Sequence, residues 1–182
     1  METMLVEKQL GEIKSPRQRL DLLKEIIEDG FATTFRQMQF NRFEDAVHNA
    51  RREEGELSTA RLSELFAEAE QAYFGKTMKR AKDSENFWMY IQHFMNVPGY
   101  VYAYCASYLV VLALYKRYQV EGASFLKGYE AMLAAGGSKA PAELLAALGI
   151  DWSDPSFWDG GLDVLADYVD QFEAAAKELK LL

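Results

Sequence analysis

The stretch HFMNVPGYVYAYCASYLVVLALYKRY, His93–Tyr118, decides how the rest of the chain is read. It holds one of the two histidines, the only cysteine and six of the ten tyrosines. No Asp, Glu, Lys or Arg occurs between Glu85 and Lys116. Asn96-Val97-Pro98-Gly99 reads as a turn leading into a helix. Pro98 suits a first helical turn, where its missing N–H would be unpaired anyway. From there a 3.6-residue period predicts a central buried helix over about 98–119. Tyr100, Tyr104 and Tyr108 share one face at i, i+4 spacing. Val101, Cys105, Leu109 and Leu112 line the next face. A segment this apolar is expected to be buried nearly all round.

Two readings of the tyrosine cluster stand side by side. In one, the phenols are packing material in a core helix, each hydroxyl meeting one local partner. In the other, some hydroxyls line a cleft opposite His93 and donate hydrogen bonds to a developing oxyanion.

Working outward, the period extends on both sides. Leu5–Leu10 is a short helical piece. Ser15–Pro16 is a cap followed by a first-turn proline. Leu20 to Val47 then keeps helical spacing through Gly30, with Phe31, Phe35 and Met38 expected on a wide buried face. Ser58 is an N-cap for an amphipathic helix that Gly75 ends. Lys76–Asn86 is polar and reads as a loop, and Phe87–Ile91 is an aromatic approach to His93. Short helices follow over Ser124–Ala134 and Ala142–Leu148, and Asp154–Pro155 opens the last helix. No β alternation, repeat or low-complexity tract appears. The class is all-α, with about seven helices and short connections. Residues 1–182 are read as one helical domain or a fragment of a larger catalytic domain.

The bulk numbers remove several function classes. The chain has 182 residues, 49% of them apolar, and a net charge of -8. That charge, with no basic stripe to offset it, argues against a nucleic-acid surface. One cysteine excludes an internal disulfide framework. The N-terminus lacks a signal-peptide pattern, which leads to a cytoplasmic expectation. The run Val97–Tyr115 is roughly 19 residues, near a membrane span in length, but its hydroxyls and Pro98 favour a soluble core. There is no HExxH and no phosphate-binding glycine loop. His48 and His93 with one cysteine make a poor metal set, so no metal ligands are expected. Glu44 and Asp45 are adjacent on a helix and do not face one site.

A series of stretches resembles one family. These are FATTFRQMQF (Phe31–Phe40) with Phe43–Glu44, GELS (Gly55–Ser58), YFG (Tyr73–Gly75), IQHF (Ile91–Phe94), YVYAY (Tyr100–Tyr104), FLK (Phe125–Lys127) and Leu144–Asp151. In this order they are similar to the C-terminal part of the catalytic domain of the oligoendopeptidase F group, zinc metallo-oligopeptidases related to thimet oligopeptidases. The resemblance implies the helical portion of a zincin-type catalytic domain without its HExxH helix. It places the family's zinc ligands upstream, so this chain is expected to begin just past the metal site. It makes His93 the histidine that assists the tetrahedral intermediate. It makes Tyr104 the first choice and Tyr100 the second for the oxyanion-donating phenol. Gln92 stands where the family has proline, and Pro98–Gly99 replaces an apolar or aromatic pair. Arg36, Gln37 and Tyr102 are expected along a channel for short peptides. The implied partners are those peptides and the zinc-bearing part of the domain, with self-association of a wall left uncovered. Two other readings remain: a helical protein that holds peptides without cutting them, and a complementing subunit of a split peptidase.

Overall fold

The computed structural model describes residues 2–77 and 79–182. Met78, inside the polar loop read over Lys76–Asn86, lies outside them. All regular structure described is helical, as the periodicity requires. The chain forms two compact units. One takes Met1–Asp29 and Tyr108–Leu182, the other Gly30–Ser107.

In the first unit are α1 (Glu2–Glu12), most of α2 (Pro16–Phe31), most of α6 (Tyr102–Glu121), α7 (Ala123–Ala135), α8 (Pro141–Ala146) and α9 (Pro155–Glu178). Leu114, Phe125, Leu145 and Ile150 form one apolar cluster, with Tyr118, Tyr129 and Phe157 against it. Leu20 packs on Ala175 and Ala176 in another. Arg19 donates to the Leu10 carbonyl at 3.1 Å and to Gln171 Oε1 at 2.7 Å, joining α2 to α1 and α9. Asp154 caps α9 by accepting the Ser156 N–H at 2.9 Å, with Pro155 at the first position. At Gly161 the backbone of α9 lies so close to α6 that a Cβ would come within 2.7 Å of the Leu109 carbonyl oxygen.

The second unit contains a π-helical turn (Ala32–Arg36), α3 (Gln37–Glu54), α4 (Thr59–Phe74), a 3-10 helix (Ser84–Tyr90), α5 (Gln92–Asn96) and the first turns of α6. Ser58 caps α4 as expected, accepting the Arg61 N–H at 3.2 Å. The core is aromatic: Phe40, Phe43, Leu65, Phe66, Ala69 and Val101 are buried, with Trp88, Ile91 and Phe94 packed against them. Phe43 meets Phe66 edge-on at 5.2 Å, and Phe40 meets Phe94 edge-on at 5.5 Å. Each such ring removed from water stabilises the fold by about 1.5–3 kcal/mol.

Three expectations are corrected. Phe31, Phe35 and Met38 do not form a buried face; they are 41%, 38% and 37% exposed. The π turn holds an extra residue and shifts the phase of the helix, so the buried face passes to Thr34, Gln39, Phe40 and Phe43. The central helix starts at Tyr102, after the Pro98–Gly99 turn, and it is not buried all round, since Tyr102 and Val111 are exposed. Nine α-helices are present among the described residues rather than about seven, because the π turn divides the helix read over Leu20–Val47 into α2 and α3, and the five-residue α5 left no periodic signal.

The two neighbouring glycines of α9 separate packing from propensity. Nothing lies within 4 Å of a Cβ built on Gly160. Gly160→Ala is therefore expected to raise unfolding stability by about 0.5–1 kcal/mol through helix propensity. Gly161→Ala is expected to lower it by about 1–3 kcal/mol through the clash with the α6 backbone. Urea melts of the two variants check both signs.

Candidate active site

The 3-10 helix and α5 carry His93 to its place. Ser63, buried on α4, donates to Asn86 Oδ1 at 2.8 Å and accepts the Trp88 indole N–H at 3.2 Å. Glu70, also on α4, accepts from Arg80 Nε at 2.6 Å and from the Ser84 hydroxyl at 3.0 Å. These bonds hold the segment entering the site along one helix. Ile91 and Phe94 then pack on the aromatic core, and His93, between them, is left half-buried at the surface.

The other side of the site is the start of α6. Val101 is fully buried. Its neighbours Tyr100 and Tyr102 are therefore turned outward, 51% and 55% exposed. Tyr104 follows one turn after Tyr100 and is 38% exposed.

Three of the residues singled out from sequence meet. His93 Nε2 lies 2.9 Å from Tyr104 Oη. The Tyr100 ring runs parallel to the imidazole, with centroids 6.4 Å apart and 6° between planes. Tyr104 stands perpendicular to both, at 5.5 Å from His93 and 5.6 Å from Tyr100. The rings thus form one accessible cluster with one polar contact in it. The accessibility separates this cluster from packed core tyrosines.

Arg36 and Tyr102 are exposed, and Gln37 is half-buried. Among the described residues no hydrogen bond joins any of the three to the His93 cluster. Burial pushes the Tyr73 phenol up, partly offset by the Arg36 charge nearby. Burial also pushes the Cys105 thiol up, so the one cysteine, next to Tyr104, is held as a thiol and is a poor nucleophile. Among the described residues no group of three or more His, Cys, Asp or Glu could hold a metal ion. The side chains present therefore do not fit a zinc site by themselves. None of the described helices is long and apolar enough to cross a membrane.

One feature of the site escaped the sequence reading. Glu44 is buried on α3, and its Oε1 accepts the Gly99 N–H at 2.7 Å, across 55 residues. Asp45 beside it is exposed. The signal was available only as a carboxylate flanked by core phenylalanines, Phe40 and Phe43, in a helix whose phase the π turn had hidden.

The cluster lies in a chain whose likeness to known proteins is extensive. Oligopeptidase PepF of Bacillus subtilis is 28% identical over 179 residues, which are 98% of this chain and 27% of that protein. Group B oligopeptidase PepB of Streptococcus agalactiae is 28% identical over 172 residues, 94% of this chain and 28% of that protein. The crystal structure of oligoendopeptidase-F from Enterococcus faecium matches all of this chain with a TM-score of 0.86 at 25% identity, using 34% of its own length. The chain thus spans just over a quarter of the length of the curated relatives it matches. The all-helical fold is that of the corresponding part of an oligoendopeptidase. The model of peptidase family M3 matches residues 1–163, and the chain belongs to that family.

Proposed function

We propose that this chain forms the transition-state-stabilising wall of a zinc-dependent oligoendopeptidase acting on short peptides. The single observation that carries the reading is the accessible His93–Tyr104–Tyr100 cluster, with 2.9 Å between imidazole and phenol. Peptide hydrolysis places negative charge on the carbonyl oxygen as the bond is attacked. Donors already aimed at that oxygen stabilise the transition state more than the substrate. Tyr104 is the first candidate for the donating phenol, oriented by His93, and Tyr100 is the second. Arg36, Gln37 and Tyr102 are proposed to meet the extended peptide.

The zinc belongs, in this reading, to residues outside the segment matched here. That zinc-bearing part is the partner this chain requires, and a cytoplasmic location goes with the reading. Alone, the chain is proposed to be an inactive segment of the larger catalytic domain.

The decisive test is a chimera. The matching third of the Enterococcus enzyme is replaced by this chain, and peptide hydrolysis is followed. Activity is expected. His93→Ala and Tyr104→Phe should each lower kcat by about 10²–10³-fold, the range for loss of one oxyanion donor, with KM little changed. A folded chimera that binds peptides and does not cut them would favour a holding role. A loss confined to KM would remove the two residues from the chemistry.

Two outcomes are expected of the isolated chain. After dialysis against zinc it should retain well under one zinc per molecule by metal analysis, for want of a ligand group. Tyr104→Phe should change its stability by no more than about 0.5–1.5 kcal/mol in urea melts, because the hydroxyl and its partner both reach water. A larger loss would mark a buried, structural hydroxyl.

Surface properties follow from the same reading. Phe87, Met89, Tyr90, Met95 and Val97 are all exposed close to His93 in sequence, and Phe87 stacks on Tyr90 at 5.8 Å. The isolated chain is expected to bind an apolar dye or to self-associate despite its net charge of -8. A clean monomer by light scattering, with no dye binding, would count against an uncovered wall.

A further inference from the structure

We propose that Glu44 is a positioning residue of this site: its buried carboxylate holds the Pro98–Gly99 turn by the Gly99 N–H and so sets where Tyr100 and Tyr104 stand against His93. The term "site" rests on the proposed function; the geometry does not.

Glu44 is 6% exposed and sits on α3 within one turn of the core rings Phe40 and Phe43. An ionised carboxylate in such a place is costly unless a cation or several donors compensate it. None of the ion pairs among the described residues includes Glu44. Its Oε1 takes one donor, the Gly99 N–H at 2.7 Å. Its Oε2 is buried with no partner among the described residues. A group this poorly compensated does not maximise stability; what it supplies is one strong, directed contact to a distant turn.

That turn needs holding. Gly99 has φ +77°, a left-handed conformation open chiefly to glycine, and nothing packs where its Cβ would be. Pro98 before it has no N–H to offer. Downstream, the Tyr100 carbonyl accepts the Ala103 N–H at 3.0 Å and the Val101 carbonyl accepts the Tyr104 N–H at 3.3 Å, so α6 is launched directly from the turn. Upstream, the Val97 N–H donates to the His93 carbonyl at 3.0 Å, closing α5. His93 is set by Ile91 and Phe94 on one side, and the tyrosines by Val101 on the other. Glu44 fixes the turn that joins the two halves.

The test uses the full chain labelled with nitrogen-15, observed by NMR. The readouts are the Gly99 amide proton shift and the cross-peaks between the His93 and Tyr104 rings. Glu44→Gln keeps an acceptor in place and is expected to retain the cross-peaks. Glu44→Met keeps the bulk and removes the acceptor. It is expected to move the Gly99 amide upfield and to weaken the ring cross-peaks several-fold, while the Val101 and Phe66 core signals stay. If Glu44→Met does not fold, Glu44→Asp decides, since it keeps the carboxyl group but draws it back from Gly99. Loss of the cross-peaks in it supports the assignment. Parental cross-peaks in Glu44→Met, or in Glu44→Asp where that variant decides, overturn it. So does their loss in folded Glu44→Gln. Catalysis enters none of these readouts, so an inactive chimera and a failed positioning role are told apart.

Discussion

The aromatic contact between α3 and α4 is the constraint on which the site depends. Phe40 and Phe43 from one helix meet Phe66 from the other, and Phe94 completes the group at 5.0 Å from Phe43. The segment from Ser84 to Val101 has little regular structure of its own, with a 3-10 helix and a five-residue α5. Helices this short do not stand alone in water. Trp88, Ile91, Phe94 and Val101 hold the segment by burying themselves against the paired helices. His93, Tyr100 and Tyr104 reach the surface because their neighbours are taken inward.

Polar contacts then restrict what the apolar core leaves loose. Hydrophobic burial is non-directional and tolerates sliding. Ser63 removes that freedom at one end, using its hydroxyl as donor to Asn86 and as acceptor for Trp88. Glu70 does so nearby with Arg80 and Ser84, and Glu44 does so at the far end with Gly99. Each is a long-range bond from a helix to the irregular segment. Without them the rings of the site would be near one another but not in fixed relation.

The helix boundaries that depend on local chemistry were legible in the sequence. Ser58, Gly75 and Asp154–Pro155 act through their own backbone and side chains, and each stands where it was read. The phase of α3 was not legible. An inserted residue in a helical turn leaves no mark in composition, and the sequence period continues smoothly through Ala32–Arg36 while the buried face jumps. Pro98 suits both a first helical turn and a tight turn, and the left-handed Gly99 decided for the turn. The His93–Tyr104 meeting depends on chain reversal across that turn, and the resemblance of IQHF and YVYAY to the family named both partners. The Glu44 contact spans 55 residues and needed the fold.

The 2.9 Å contact between His93 Nε2 and Tyr104 Oη holds one proton, and its direction decides what the cluster can do. If the phenol donates to the imidazole, the Tyr104 proton is spent inside the cluster and none faces a substrate. If Nε2–H donates to the phenol oxygen, the O–H is released to point outward. The second arrangement also polarises the hydroxyl, since accepting a hydrogen bond strengthens a group as a donor. Negative charge arriving beside the phenol favours that arrangement over the first, by attraction to the outward proton. On the proposed function, the imidazole acts through Tyr104, and the pair works as a single donor. Tyr100 runs parallel to the imidazole, with centroids 6.4 Å apart, and stands edge-on to Tyr104 at 5.6 Å. A cluster of three rings on one short reach of chain is therefore enough to place one proton, provided the turn between its halves does not move.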